Sequence, residues 1–234
     1  MIKIIRAHER HFADMGWLQT YWLFSFSTYY APHNVQFGTL RVFNDDVIAP
    51  GQGFPLHPHE EMEIVTVMLS GELTHGDSMG HRTTLKAGEV QRLSAGTGMM
   101  HSEFNLADQP AHLYQLWIYP KRAGLPPSYE QQAFAPADWK NRLCILASGQ
   151  KHPGAVTIHA DAAIYRCALD AGRTVTFAPT AQRCVLLYTT QGQLTVNGMA
   201  LGANDQARAE ITEPLVLRAV KDADFILIDV APGK

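Results

Sequence analysis

Cysteine is scarce in this chain. Its three cysteines, Cys144, Cys167 and Cys184, are an odd number without paired spacing. This excludes a disulfide framework or a CxxC zinc site, and it fits a reducing, cytoplasmic setting. Charge is sparse too, at 18% of residues, with a formal net charge of -3. No basic footprint for nucleic acid is present, nor any block of like charges. No apolar run approaches the length that spans a bilayer, so no membrane partner is expected. The opening MIKIIRAHERHFADMGWL breaks its apolar residues with charged ones and reads as neither a signal nor a transit peptide. Long amphipathic helical stretches are also missing.

What remains is a chain of 234 residues, 46% of them apolar, enough for one large all-β domain or two small ones. Residues 39–44, 63–74, 90–96, 112–120, 164–170, 183–198, 214–220 and 224–230 are rich in β-branched, aromatic and leucine residues and bounded by turn formers. Such spacing predicts strands of barrels or jelly rolls. The stretch KRAGLPPSYEQQAFAPADWKN at 121–141 reads as a linker with a helical turn around Tyr129–Gln132. The expected division is an N-terminal domain over 1–130 and a C-terminal domain over 131–234. The halves resemble each other: Gly51 and Gly71 in the first recur as Gly172 and Gly192 in the second, each pair followed by a G-x-L turn. This reads as a duplicated β unit. On that alignment His57 falls on Ala178, His59 on Thr180 and Glu63 on Cys184, so the first half carries the ligands and the second is expected to carry none.

Eleven histidines are present, but their arrangement matters more than their number. His57 and His59 are one residue apart, as are His101 and Glu103. In a strand, residues i and i+2 project from one face, so two neighbouring strands would aim both pairs at one point. Pro58 cannot donate a ladder hydrogen bond, which places its strand at an edge, a bulge or a strand start. Three imidazoles and a carboxylate suit a first-row transition metal and leave positions open for a ligand. This donor set alone does not choose among Fe(II), Mn(II), Ni(II), Cu(II) and Zn(II).

The frame around these residues resembles a known family. Gly51-x5-His57-Pro-His59-x3-Glu63 followed by Gly71 resembles the first cupin motif, and Gly88-x5-Ser94-Ala-Gly96-x4-His101-Ser-Glu103 the second. Ser94 in place of the usual proline, a histidine two residues late and the His-x-Glu pair resemble the pirins. Segments 16–30, 40–54, 75–80, 93–105 and 113–120 are similar to pirin segments as well. One departure is Trp22-Leu23-Phe24-Ser25-Phe26, where many relatives read His-Thr-Phe-Ser-Phe.

The resemblance implies an all-β bicupin, two stacked jelly-roll barrels with one metal in the first. It implies His57, His59, His101 and Glu103 as ligands and Glu63 as a group that orients a ligand histidine. The expected cofactor is one divalent transition metal, Fe(II) favoured over Cu(II), Ni(II), Mn(II) or Zn(II). The implied chemistry is cleavage of quercetin or a related flavonol with O2 and release of carbon monoxide, with Glu103 as general base. Phe54, Met62, Met99 and Met100, near the ligands in sequence, are the expected pocket walls. The competing reading is a metal- or redox-sensing protein that regulates a protein partner. A sugar isomerase on the same scaffold would need cations near the metal to hold a phosphate, and the ligand flanks offer only Arg92.

Overall fold

The computed structural model describes residues 1–150 and 152–233. The first twelve strands are β1 (Ile2–Ile5), β2 (His11–Asp14), β3 (Leu18–Trp22), β4 (Leu40–Ile48), β5 (Gly53–His59), β6 (Glu63–Ser70), β7 (Glu72–Asp77), β8 (Arg82–Lys86), β9 (Glu89–Ser94), β10 (Met99–Phe104), β11 (Ala111–Ile118) and β12 (Ser128–Ala133). The remaining eight are β13 (Cys144–Ser148), β14 (Val156–Thr157), β15 (Ala162–Leu169), β16 (Thr174–Phe177), β17 (Arg183–Val196), β18 (Met199–Leu201), β19 (Gln206–Ile211) and β20 (Leu215–Val230). The helical elements among the described residues are single 3-10 turns at Ala7–Glu9 and Pro136–Asp138, and none is long and apolar enough to cross a membrane. The all-β class expected from the strand pattern is the class observed.

In the first half, a seven-stranded sheet runs β12-β9-β6-β11-β4-β3-β2, and a four-stranded sheet runs β5-β10-β7-β8. The second half is a nine-stranded sheet built around β19-β17-β20-β15-β13. The central strand β6 of the seven-stranded sheet is buried on both faces along most of its length, which is why it reads as a nearly continuous apolar run. On β6, Val65 and Val67 join Leu186, Ile226 and Ile228 in the core between the halves. The alternate residues Ile64 and Met68 pack inside the first barrel. Cys184 is buried in the core between the halves, as a small apolar residue.

Three expectations change. The segment expected to turn helically, Tyr129–Gln132, lies in β12, which pairs in register with β9. Main-chain pairing with an open sheet edge, rather than apolar content, makes this polar stretch a strand. The division expected after residue 130 therefore falls inside strand β12, which pairs with the first half, while β1, at the start of the chain, pairs with β19 of the second half. The two strands expected at 214–220 and 224–230 are one 16-residue strand, β20.

Candidate metal centre and adjoining cavity

Strand β10 lies between β5 and β7, and the register lines up three pairs of side chains. His101 stands opposite His57 on one side and Asp77 on the other. Glu103 stands opposite His75. Each strand thus contributes an i, i+2 pair to one face: His57 and His59, His101 and Glu103, His75 and Asp77. Strand β5 is the edge of its sheet, where Pro58 costs no ladder bond.

Close approach of β5 and β10 depends on Gly53. A Cβ there would lie 2.1 Å from the Glu103 carbonyl oxygen. Gly53→Ala is expected to cost about 1–3 kcal/mol of overpacking and to lower metal affinity by shifting the Glu103 backbone; denaturant unfolding and metal content of the purified variant check both.

The imidazoles of His57, His59 and His101 have ring centroids 4.4–4.8 Å apart. One ligand atom from each lies within 4.8 Å of the others, and a second such group joins His101 to His75 and Glu103. An ion about 2.1 Å from each nitrogen would need only small side-chain movements. The hydrogen bonds fit that role. His57 Nδ1 donates to the Pro55 carbonyl at 2.7 Å, which leaves Nε2 with a free lone pair. Both nitrogens of buried His101 lack a hydrogen-bond partner among the described residues, a costly arrangement without a ligand. Burial and the neighbouring His101 and His57 push His59 down to about 4. Burial, His57 and His75 push His101 down to about 3. Both rings are therefore neutral at physiological pH, the form that binds a cation. The donor set fits a divalent transition metal.

Glu103 is buried and held on both oxygens. Gln91 Nε2 donates to Oε1 at 2.7 Å, and Gln115 Nε2 to Oε2 at 2.8 Å. Trp117 Nε1 donates to Gln115 Oε1 at 3.1 Å, which fixes that amide's orientation. His75 Nε2 donates to Asp77 Oδ2 at 2.9 Å, and its buried Nδ1 has no partner among the described residues.

A cavity of about 270 Å³ adjoins the imidazoles, near the lower end for small-molecule sites. Its walls are largely aromatic: Trp22, Phe26, Phe54 and Trp117. Its polar lining includes His57, His59, Glu103, Gln115, Asn44 and Asp46. Burial lifts the Asp46 carboxyl to about 7. The folded protein thus holds that proton while the unfolded chain has lost it, and stability from this group declines as pH rises from about 3.8 towards 7. At about 1.4 kcal/mol per pH unit, the loss is roughly 4 kcal/mol. Asp46→Asn is expected to match the wild type near pH 4 and exceed it by up to that amount above pH 7, as read by urea unfolding at both pH values.

Of the expected pocket walls, Phe54 lines the cavity. Met62, Met99 and Met100 do not. Met99 is buried with Ile64, Leu93 and Ala95, and Met62 packs against that cluster. Met100 lines a shallow groove by Pro58 and Glu60. The cavity opens instead towards β3, β4 and β11, which are remote in sequence from the ligand pairs.

Glu63 also departs from expectation. It accepts from Ser94 Oγ and from the His159 backbone N–H, both at 2.9 Å, at the junction with the second half. It orients none of the three clustered imidazoles. His75, assigned no role from sequence, is buried at the centre; its spacing to Asp77 repeats that of the other two pairs.

Residues 5–118 match the family model described as Pirin, and residues 145–230 the model described as Quercetinase C-terminal cupin domain. The chain is 40% identical to a pirin-like protein of Caulobacter vibrioides, over 94% of this chain and 95% of that one. It is 39% identical to quercetin 2,3-dioxygenase of Escherichia coli K12, over 99% and 100% of the two chains. The crystal structure of the bacterial pirin YhhW from Escherichia coli, in complex with nickel(II), is similar with a TM-score of 0.93 at 38% identity, covering 99% of this chain and 100% of that one.

Proposed function

The chain belongs to the pirin family, with the two-barrel cupin fold, and we propose that it is a metal-dependent dioxygenase that opens the central ring of a flavonol with O2 and releases carbon monoxide. In this reading His57, His59 and His101 hold the ion, and Glu103 is both the fourth ligand and the general base. The observation that supports it most is the contact between a three-imidazole cluster and an aromatic-walled cavity, which share His57 and His59, with Glu103 also on the cavity wall. The names of relatives point the same way. Fe(II) is our assignment for the working ion; Ni(II), present in the Escherichia coli relative's structure, suits the same imidazole and carboxylate donors.

A bound divalent ion would supply Lewis acidity and a position for a substrate oxygen. The chain's own residues do the rest. Trp22, Phe26, Phe54 and Trp117 hold the flat rings and exclude water. The Glu103 carboxylate takes the proton of the flavonol 3-hydroxyl. Gln91 and Gln115 fix its plane beside the cavity. Oriented this way, the base loses little entropy when the substrate arrives.

The test is loss of the flavonol absorbance in air, with Fe(II)- or Ni(II)-loaded protein and a matching flavone that lacks the 3-hydroxyl as control. Turnover of the flavonol alone supports the reading. Equal inertness of both with a fully loaded site contradicts it.

A further inference from the structure

Several polar groups that line the cavity are already engaged. His57 Nδ1 is held by Pro55, both Glu103 oxygens by glutamine amides, and both ends of the Gln115 amide by Glu103 and Trp117. Two deeply buried side chains differ: Asn44 is 4% exposed and Asp46 2%, and Asn44 Oδ1 and Asp46 Oδ1 have no hydrogen-bond partner among the described residues. An acceptor left unpaired in the interior costs about 1–3 kcal/mol, so two on one cavity wall call for a ligand.

Their placement is specific. Asn44 and Asp46 are i and i+2 on β4, so they share a face. Asn44 stands in register between Trp22 on β3 and Gln115 on β11. Gln115 in turn contacts Glu103. The row Trp22, Asn44, Gln115 therefore leads across the sheet from an aromatic wall to the carboxylate beside the imidazoles. A flat ligand on that wall, with one oxygen at the metal side, brings its other substituents against β4.

We propose that Asn44 and Asp46 form a second recognition point that accepts hydrogen bonds from ring hydroxyls of the substrate, and so select polyhydroxylated aromatics over those bearing only the metal-directed hydroxyl. This rests on the cavity being the substrate site, as proposed above. The Asn44 amide oxygen accepts, and the Asp46 carboxyl keeps an accepting oxygen whether or not it carries its proton, so the partner they need is a donor such as a phenolic O–H. A site with buried acceptors discriminates against a ligand that leaves them unpaired far more strongly than an apolar pocket discriminates by size.

The experiment is anaerobic calorimetric titration of Ni(II)-loaded protein with quercetin and with 3-hydroxyflavone, which lacks the additional ring hydroxyls. Binding is read without turnover, so this result stands apart from the dioxygenase assay. Asn44→Leu and Asp46→Leu are expected to weaken quercetin by about tenfold or more each and to leave 3-hydroxyflavone within about twofold. Asp46→Asn, which keeps an acceptor, should restore most of the quercetin affinity. Asn44→Leu carries the test alone if Asp46→Leu does not fold. Selective loss of quercetin without turnover in the aerobic assay keeps the recognition point and removes the dioxygenase reading. Equal weakening of both ligands, or of neither, overturns the recognition point while leaving the dioxygenase reading intact. Failure of the loaded wild type to bind either ligand overturns both.

Discussion

His101→Ala is expected to purify without stoichiometric metal and to gain no thermal stability from added Ni(II) or Fe(II). His101 lies on the central strand, shared by the two ligand groups. Both of its nitrogens are buried without a partner among the described residues, and burial beside His57 and His75, which pushes it down to about 3, keeps it neutral. Loss of groups that merely support ligands already costs about 10–100-fold in metal affinity, and loss of this ring should exceed that. At an ion concentration of about 100 times Kd, binding stabilises the wild type by about 2.7 kcal/mol. The variant should show almost none of that shift. Metal content by mass spectrometry, with thermal unfolding at matched ion concentrations, gives both readings. A variant that keeps one ion per chain would place the centre elsewhere.

Glu103→Gln separates binding from chemistry. The amide keeps the shape of the side chain and leaves three imidazoles to hold the ion, so most of the metal should remain. The base is gone, and kcat should fall by about 10²–10⁴-fold, the usual span for a positioned general base. The paired donors from Gln91 and Gln115 add a constraint, because one of them now meets an N–H. Steady-state kinetics at equal metal occupancy checks this; an unchanged kcat would remove Glu103 from the proton transfer.

How much of this was legible in the sequence follows from geometry. His57 with His59, and His101 with Glu103, are visible because strand alternation aligns i and i+2 without any knowledge of the fold. His75 with Asp77 obeys the same rule, but it sits in a turn-rich stretch that does not announce a strand. Gln91 and Gln115 look like ordinary polar positions until β9 and β11 close around β10. Glu63 points away from the imidazoles because alternation does not carry through the turn after His59. Glu61 adopts a positive φ of 49° there, and the chain passes from the four-stranded to the seven-stranded sheet. The face of Glu63 is thereby turned towards the second half. Met62, Met99 and Met100 are close to the ligands along the chain, whereas most of the walls are set by pairing among β3, β4 and β11. Sequence spacing can show which residues share a strand face, but not which strands lie opposite.

The measurement that bears most directly on the account is the stoichiometry of gas exchange. Metal-loaded protein is given quercetin in a sealed cell, and O2 uptake and carbon monoxide release are followed together with flavonol loss. One O2 consumed and one carbon monoxide released per flavonol, with both signals absent in His101→Ala, is the predicted result. Flavonol loss without carbon monoxide, or no oxygen uptake by a fully loaded site, would contradict the proposed chemistry and favour the reading in which the metal serves recognition of a protein partner.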